Sequence, residues 1–559
     1  MHKATRLKSN AAIYYLPDGY STSGKNIMGI HAASEGFMSG FARHADIDMA
    51  YCAVDNDAGA NAFHEVFARA RRSLPVKAFP IGRPELLAEP GCLYLPGPGL
   101  SEFAWQRRQV NQRDYSLCGV THTTASAVVM DAITDFAVAP IQPWDALICT
   151  SQSVRNMVET LLADHAAYLK DRLGASTFVF PQMPVIPLGI DSTGFVHDGS
   201  RRREWREKLG IAEEDIAVLF FGRLSFHGKA HPIPMYQALA KAAGRVNRRF
   251  HLIHAGWFPT DSQEALYRNN AAETCPTVNL IFVNGLDADV RRTIWSAADI
   301  FTSLTDNIQE TFGLTPIEAM AAGLPVVVSD WDGYRDTVRD GVDGFRIPTL
   351  MSPAPYGGDL AYQHGSGRIS YDVYIGRTAQ FVSVDIELCA DAYARLADDA
   401  DLRRQMGAEG SRRAESIYDW KVIIASYQEL WGELALMRQS ANESVAHKGA
   451  SSARPTRPDP FHVFASYPSA NLSPEDIISR TENGPEWLKV IRSSPLVSFA
   501  EEVLPTEAES LQILVILGVS TKRAADLVGG FPMERQALIF RGLVWMAKYR
   551  LIAVTRSGS

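Results

Sequence analysis

The stretch that decides the fold, residues 310–330, reads ETFGLTPIEAMAAGLPVVVSD. Thr315 is a favourable N-cap and Pro316 suits the first turn of a helix, so a helix is predicted to begin near Pro316. Gly323 follows as its C-terminal stop. The apolar, β-branched run at residues 326–328 predicts a strand of a parallel sheet that is covered on both faces.

Two carboxylates eight positions apart, Glu310 and Glu318, flank this turn. Between them, Gly313, Leu314 and Thr315 present backbone N–H groups at the start of the helix, which is a ready anion site. One carboxylate precedes that site, and the other is expected in the first turn of the helix. A phosphate at the helix end, with carboxylates placed for two sets of hydroxyls, indicates a nucleotide-sugar site.

The whole string resembles the E-x7-E segment of retaining glycosyltransferases with the two-domain GT-B fold, most closely the GT4-type family (glycosyl transferases group 1). Two Glu at this spacing alone would also suit ordinary surface acids beside a helix start. The resemblance implies that Glu318 accepts hydrogen bonds from the donor ribose and that Glu310 holds hydroxyls of the transferred sugar. It implies donor-binding roles for Phe312, Gly313, Leu314 and Thr315. A nucleoside-diphosphate sugar is then the substrate, with no cofactor and no metal.

A second element, FFGRLSFHGKAHP at residues 220–232, places Arg223 and Lys229 just after a predicted strand. Cleaving a sugar–diphosphate bond leaves charge on the phosphate oxygens, and two fixed cations stabilise that charge without a metal. The element resembles the family's GR-L…K segment, which grips the donor diphosphate, although the gap between Arg and Lys is one residue longer here. The alternative is a solvated Arg and Lys on a loop.

Two features of the first domain resemble further parts of the family's site. His122, in GVTHTT at residues 119–124, follows a predicted strand and is similar to the histidine that contacts the donor sugar. A structural histidine is the alternative. Gly24, in GYSTSGK at residues 19–25, is similar to a glycine loop that lets a phosphate or an acceptor approach the backbone. The P-loop interpretation of this segment is rejected because Asn26, not Ser or Thr, follows the lysine.

Other charged residues carry weaker indications. Asp330 and Asp332 match the D-x-D string of metal-dependent GT-A enzymes, but their position after the helix and strand indicates a coincidence. Asp191 resembles the family's hinge aspartate, although Leu188 stands where the family has Asn. A basic cluster suits either anionic lipid or, as the favoured interpretation, a solvated helix face. It consists of Arg69, Arg71, Arg72 and Lys77.

The composition limits the class of protein. The 559 residues suit two or three domains, and 46% hydrophobic with 21% charged residues is typical of a globular chain. A net charge of −8 argues against nucleic acid as the main partner. Six scattered cysteines without a C-x-x-C pair indicate reduced thiols in a cytoplasmic protein. The run at residues 11–16 is too short for a signal segment, and no apolar run is long enough to span a membrane. Peripheral contact with the inner membrane face stays open.

Alternating strands and helices predict an α/β chain with two Rossmann-like parallel-sheet domains and a small, mainly helical C-terminal domain. The predicted boundaries are 10–190 for the acceptor-side domain, 191–437 for the nucleotide-sugar domain, 438–460 for a linker and 461–559 for the last domain. A helix ending near residue 437 is expected to cross back onto the first domain, as in GT-B proteins. Residues 461–559 are similar in outline to a winged helix, but their ten basic and ten acidic residues favour a protein-interaction module over DNA binding.

The resulting hypothesis is a retaining glycosyltransferase that moves a sugar to a hydroxyl acceptor, saccharide or lipid-linked, in polysaccharide or glycoconjugate biosynthesis. The alternatives are a GT-B phosphorylase or epimerase, and a glycosyltransferase-like scaffold. Residues 350–384 form a Gly-, Pro- and Tyr-rich excursion where the family usually has a short one. It is interpreted either as an ordered lid or acceptor-contacting loop, or as a surface insertion, which is the commoner case.

Overall fold

The structure is a computed structural model that describes residues 9–20, 29–195, 198–442 and 454–557. Two compact units make up the chain, Met1–Arg454 and Pro455–Ser559. The break between them falls inside the segment predicted as a linker.

Six strands near the start of the chain form one parallel sheet. They are β1 (Ala12–Tyr14), β2 (Ala50–Val54), β3 (Val76–Pro80), β4 (Cys92–Tyr94), β5 (Ser116–Val120) and β6 (Ala146–Ile148). Their order is β3-β2-β1-β4-β5-β6, which is the doubly wound arrangement of nucleotide-binding sheets. The helices that pack on it are α1 (Gly29–His44), α2 (Asp57–Arg69), α3 (Leu100–Arg107), α4 (Ala127–Thr134) and α5 (Gln152–Leu173).

A second parallel sheet repeats this arrangement. Its strands are β7 (Ile216–Arg223), β8 (Phe250–Trp257), β9 (Asn279–Asn284), β10 (Ile300–Ser303), β11 (Val326–Ser329) and β12 (Gly344–Ile347). Their order is β12-β11-β10-β7-β8-β9, so β7 and β10 lie side by side where the strand order reverses. Helix α6 (Gly199–Leu209) precedes β7, and the helices between the strands are α7 (Pro232–Ala243), α8 (Asp261–Thr274), α9 (Ala288–Thr293), α10 (Leu314–Ala321) and α11 (Tyr334–Thr337). The predicted fold class of two Rossmann-like sheets is therefore confirmed.

The excursion after β12 is ordered and lies between two short antiparallel strands. Its elements are β13 (Thr349–Met351), α12 (Gly358–Gly365), α13 (Tyr371–Ala379) and β14 (Val382–Val384). Three helices follow, α14 (Ile386–Asp398), α15 (Ala400–Ile417) and α16 (Trp420–Ser440).

Helix α16 returns to the first domain, as the resemblance implied, and it ends at Ser440. Seven of its side chains belong to the core beside β1, β2 and β4 (Trp420, Ile423, Ile424, Tyr427, Leu430, Trp431 and Leu434). Trp420 occupies a socket made by Gly36, Gly40 and Gly189. A Cβ atom at Gly40 or Gly189 would lie within 2.7 Å of the indole. The first domain therefore needs this distant helix to complete its core.

The second unit combines helices with a three-stranded antiparallel sheet in the order β16-β15-β17. Its helices are α17 (Pro460–Val463), α18 (Pro485–Ser493), α19 (Pro495–Ser498), α20 (Glu507–Val519), α21 (Ala524–Val528) and α22 (Met533–Lys548), and its strands are β15 (Ile477–Arg480), β16 (Lys522–Arg523) and β17 (Ile552–Thr555). Helices α20 and α22 pack their apolar faces into this unit's core, where Ile513, Leu514, Ile539 and Leu543 are fully buried.

Candidate functional site

The site lies at the carboxyl ends of β7 and β10, the place in an open α/β sheet where ligands bind. The loops after these two strands are hydrogen-bonded to each other. Thr305 Oγ1 donates to the Lys229 carbonyl at 2.8 Å, and Asn307 Nδ2 donates to the His227 carbonyl at 2.6 Å. Both donors are buried, so the two loops form one rigid wall of the site.

The two predicted cations stand on this wall. Arg223 is the last residue of β7, and its guanidinium donates to the Gly228 carbonyl at 3.3 Å. Lys229 Nζ lies 3.1 Å from Glu310 Oε2, with the lysine side chain 35% exposed and the glutamate 11% exposed. The sequence assigned these two residues to separate roles, whereas the structure pairs them. The carboxylate holds the ammonium in place and leaves part of it open to a ligand.

Helix α10 begins at Leu314, two residues before the predicted start, so the predicted N-cap at Thr315 is wrong. Gly313 is the N-cap, with a φ of 85° and no side-chain cap. That left-handed angle favours glycine and turns the chain into the helix at once. Pro316 still lies in the first turn and has no N–H. The unpaired N–H groups of this helix end therefore belong to Gly313, Leu314 and Thr315, as the anion-site prediction requires.

The structure describes two of the three remaining residues that the resemblance assigned to donor binding, Glu318 and Phe312. Glu318 is the fifth residue of α10 and so lies in its second turn, not its first. It is half-buried, and removal from water raises its pKa to about 7. The Phe312 ring is buried against Tyr418, with ring centroids 6.1 Å apart, so a donor contact from this residue has to come from its backbone. Gly24 lies outside the described residues.

His122 joins the first domain to the donor-side segment. It follows β5, and its backbone carbonyl accepts a 2.6 Å hydrogen bond from Thr311 Oγ1. Thr150, beyond the end of β6, donates to the Thr311 carbonyl at 3.4 Å. Burial lowers the pKa of His122 to about 4, so its imidazole is neutral at pH 7. The neutral imidazole adds no charge beside the segment that carries Glu310.

Asp330 and Asp332 are held by different partners. Asp330 lies 3.4 Å from the Arg346 guanidinium, whereas Asp332 accepts a 3.1 Å hydrogen bond from Ser151, the N-cap of α5. Asp336 accepts from the backbone N–H of Gln152 at 2.7 Å. Asp332 and Asp336 therefore hold the start of a first-domain helix, and this arrangement supports the interpretation of the D-x-D string as a coincidence.

Asp306 is a buried carboxylate that the sequence interpretation missed. It follows β10, is 4% exposed, and its Oδ1 has no hydrogen-bond partner. Burial raises its pKa to about 7, against a hydrogen bond from the His231 backbone that lowers it. Its position just beyond an apolar strand, next to the strand that ends in Arg223, was the signal that could have identified it.

The other charged residues have local partners. Asp191 lies 2.6 Å from Arg43 of α1, which is an exposed contact between the two domains of the first unit. In the basic cluster, Lys77 pairs with Glu89 at 2.5 Å, and Arg72 donates to backbone carbonyls. These contacts suit the interpretation of the cluster as an ordinary surface.

The described ranges hold neither a cluster of metal-binding side chains nor a membrane-spanning helix. No three His, Cys, Asp or Glu side chains within these ranges are grouped so that they could hold a metal ion. No described helix combines the length and apolar character needed to cross a membrane. All six cysteines are buried and unpaired.

Comparison with known proteins relates part of the chain to a known family. Residues 201–353 match the model described as Glycosyl transferases group 1, the group that the sequence resembles. A D-inositol 3-phosphate glycosyltransferase of Geodermatophilus obscurus is 29% identical over 204 residues, covering 35% of this chain and 42% of that protein. A lipopolysaccharide 1,2-N-acetylglucosaminetransferase of Salmonella typhimurium is 24% identical over 181 residues, covering 31% and 47%.

The chain thus spans less than half the length of these two relatives. Among solved structures, the Anabaena protein HepE in complex with UDP has 16% sequence identity and a TM-score of 0.48. That match covers 73% of this chain and 98% of HepE.

Proposed function

Because residues 201–353 match the group 1 glycosyltransferase family, we propose that the chain is a retaining glycosyltransferase that uses a nucleoside-diphosphate sugar. The acceptor is a hydroxyl of a saccharide or of a lipid-linked saccharide, and the product belongs to a polysaccharide or glycoconjugate.

One observation carries this proposal. Arg223, the Lys229–Glu310 pair and the free N–H groups at the start of α10 all belong to the loops around the strand-order reversal of the second sheet. Two cations and a helix N-terminus suit a diphosphate, and Glu310 and Glu318 suit hydroxyl groups on either side of it. A site for a simple phosphate would not need the two flanking carboxylates.

The proposed reaction breaks the bond between the anomeric carbon and the diphosphate oxygen, and it forms a bond from that carbon to the acceptor oxygen. The acceptor proton goes to an oxygen of the leaving diphosphate on the same face of the sugar, so the anomeric configuration is retained. Arg223 and Lys229 stabilise the charge that develops on the phosphate. Glu310 and the neutral His122 position the sugar, since hydrogen-bonding groups held in place lower the barrier by orientation.

Glu318 is proposed to accept hydrogen bonds from the donor ribose. Removal from water disfavours its ionised form and raises its pKa to about 7. Two ribose hydroxyls that donate hydrogen bonds to the carboxylate would stabilise the ionised form. Donor binding should therefore favour ionised Glu318 and lower its pKa.

The proposed chemistry does not use a metal, because two fixed cations already face the leaving group. Activity is expected to survive EDTA. Loss of turnover in EDTA, with recovery on adding Mg²⁺ or Mn²⁺, would contradict this part of the proposal.

A thermal-shift screen tests the donor class. The panel contains UDP-glucose, UDP-N-acetylglucosamine, GDP-mannose and ADP-glucose. At equal concentrations, the donor that binds most tightly should raise the melting temperature most. Products are then analysed with the donor that binds. Free nucleoside diphosphate together with a glycoside of retained configuration supports the proposal. Sugar phosphate indicates a phosphorylase, an altered donor sugar indicates an epimerase, and failure of every donor to bind supports a scaffold.

A further inference from the structure

Helix α13 in the 350–384 excursion connects the two domains of the first unit beside the site. Its first residue, Tyr371, has its hydroxyl 3.3 Å from Thr123 Oγ1 in the first domain. Further along the helix, Gly376 packs against His227 so closely that an added Cβ would lie 2.7 Å from the His227 Cβ. The helix is therefore wedged between the loop after β5 and the loop after β7, and it is more than a surface insertion.

The start of α13 also lies close to charged groups of the donor-side wall, the wall formed by the loops after β7 and β10. Burial raises the pKa of Tyr371, and Arg223 acts in the opposite direction. Asp372, the next residue, raises the pKa of His227, although burial leaves that pKa lowered overall. The groups around Tyr371 thus include Thr123 from the first domain and Arg223 from the second.

The loop that carries His122 is consequently held at two adjacent residues. Thr311, from the segment that leads into α10, binds the His122 carbonyl at 2.6 Å. Tyr371 binds the side chain of the next residue, Thr123. Thr124 is 5% exposed and fixes the far side of the loop in the protein interior. One anchor comes from the donor-binding segment, and the other comes from the excursion.

We propose that Tyr371 is a positioning residue for glycosyl transfer: its hydroxyl, through Thr123, fixes the His122 loop against the donor-side wall. This inference rests on the proposed function. In this proposal the excursion helps to build the first-domain side of the site. The groups proposed to bind the diphosphate, Arg223, Lys229 and the start of α10, form no hydrogen bond with Tyr371 among the described contacts. Loss of the Tyr371 hydroxyl should therefore affect turnover and leave donor affinity intact.

The test uses the full chain and three single variants. Tyr371→Phe removes the hydroxyl and keeps the ring, and Thr123→Val removes its partner. Tyr374→Phe is the matched control, because Tyr374 lies on the same helix but stacks on His364 with ring centroids 4.3 Å apart. Loss of one neutral hydrogen bond should lower kcat by about three- to tenfold in the first two variants. The dissociation constant of the donor found in the screen should stay within about twofold, and Tyr374→Phe should match the wild type.

A double-mutant cycle distinguishes a direct link from two independent effects. If the two hydroxyls act together, the combined Tyr371→Phe and Thr123→Val variant loses no more kcat than either single variant. Hydrogen exchange of a peptide covering residues 121–126 gives a readout that does not need activity. Exchange should be faster in Tyr371→Phe than in the wild type or in Tyr374→Phe.

The outcomes separate this inference from the proposed function. Suppose that the wild type transfers sugar. Then an unchanged kcat in Tyr371→Phe, or additive losses in the double-mutant cycle, would overturn the role of Tyr371 and leave the proposed function intact. If the wild type transfers no sugar, the proposed function fails. Hydrogen exchange then tests the contact between Tyr371 and Thr123 by itself. Unchanged exchange at residues 121–126 in Tyr371→Phe overturns the proposal that this contact holds the His122 loop.

Discussion

Replacing Gly313 with alanine should damage both the fold and the anion site at the start of α10. A φ of 85° costs an L-residue about 1–2 kcal/mol. The new methyl group would also lie 2.0 Å from Tyr334 Cε1, whereas carbon atoms in contact are about 3.5–4.0 Å apart. Tyr334 is buried and its hydroxyl binds Ser303 at 2.9 Å, so the ring has no room to retreat.

Overpacking of this kind costs about 1–3 kcal/mol, so the free energy of unfolding should fall by about 2–5 kcal/mol in total. Since the ring stays in place, the helix start has to move by about 1.5–2 Å, and its N–H groups move with it. A displacement of about 1 Å is enough to cost about a hundredfold in rate. Gly313→Ala should therefore bind the donor more weakly and turn over more slowly, as well as being less stable.

Gly323→Ala is the control at the other end of the same helix. Gly323 has a φ of 78°, and nothing lies within 4 Å of its added Cβ. This variant should lose only about 1–2 kcal/mol and should bind the donor normally. Denaturant unfolding and calorimetry with the donor from the screen measure both effects. The reasoning is refuted if Gly313→Ala is as stable as Gly323→Ala and binds donor like the wild type.

Three further predictions follow from other residues. Arg223→Ala should lower kcat/KM by the equivalent of at least ~2–4 kcal/mol, because it removes one fixed hydrogen-bond donor at a developing charge. Turnover equal to the wild type would contradict the role of Arg223 in stabilising the leaving diphosphate. Asp332→Asn should raise the melting temperature more at pH 8 than at pH 5. Burial raises the Asp332 pKa to about 8, so the stability of the wild type falls as the pH rises from about 4 to 8. Asn tolerates the φ of 42° at this position, and its side-chain oxygen still accepts the hydrogen bond from Ser151. An equal gain in melting temperature at both pH values would contradict this prediction. A chain ending at residue 442 should fold and bind donor. One ending at residue 437 should be less stable, because it lacks Arg438, whose guanidinium donates a 2.8 Å hydrogen bond to Ser116. Equal stability of the two chains would show that this contact contributes nothing.

The second domain was the more predictable part because its signals are local. Its sheet interior is made of continuous apolar runs such as residues 326–328, and polar residues such as Arg223, the last residue of β7, stand at the strand ends. In the first sheet, β3 has little of this local signal. It lies at the edge of the sheet, most of its residues are exposed, and it carries Lys77 and Pro80. An edge strand needs no apolar run, so its sequence resembles a loop.

The contacts between the domains could not be predicted, because they join residues that no local pattern relates. Thr311 and His122 are 189 positions apart, and Thr123 and Tyr371 are 248 positions apart. The start of α10 was misjudged for a similar reason. Thr315 is a good cap by propensity, but Gly313 can adopt a left-handed angle packed on a distant tyrosine, and this tertiary contact decided the start.

The glycine socket of Trp420 also constrains the order in which the chain folds during synthesis. Residue 186 is the last core residue of the first domain before the second domain begins, and the next is Trp420, roughly 230 residues later. At ribosomal speeds of about 5–20 residues per second, the first sheet waits roughly 10–50 s with an uncovered apolar surface. The second sheet is synthesised whole in that interval. We therefore expect chaperones to act on this protein mainly while its first domain waits for Trp420.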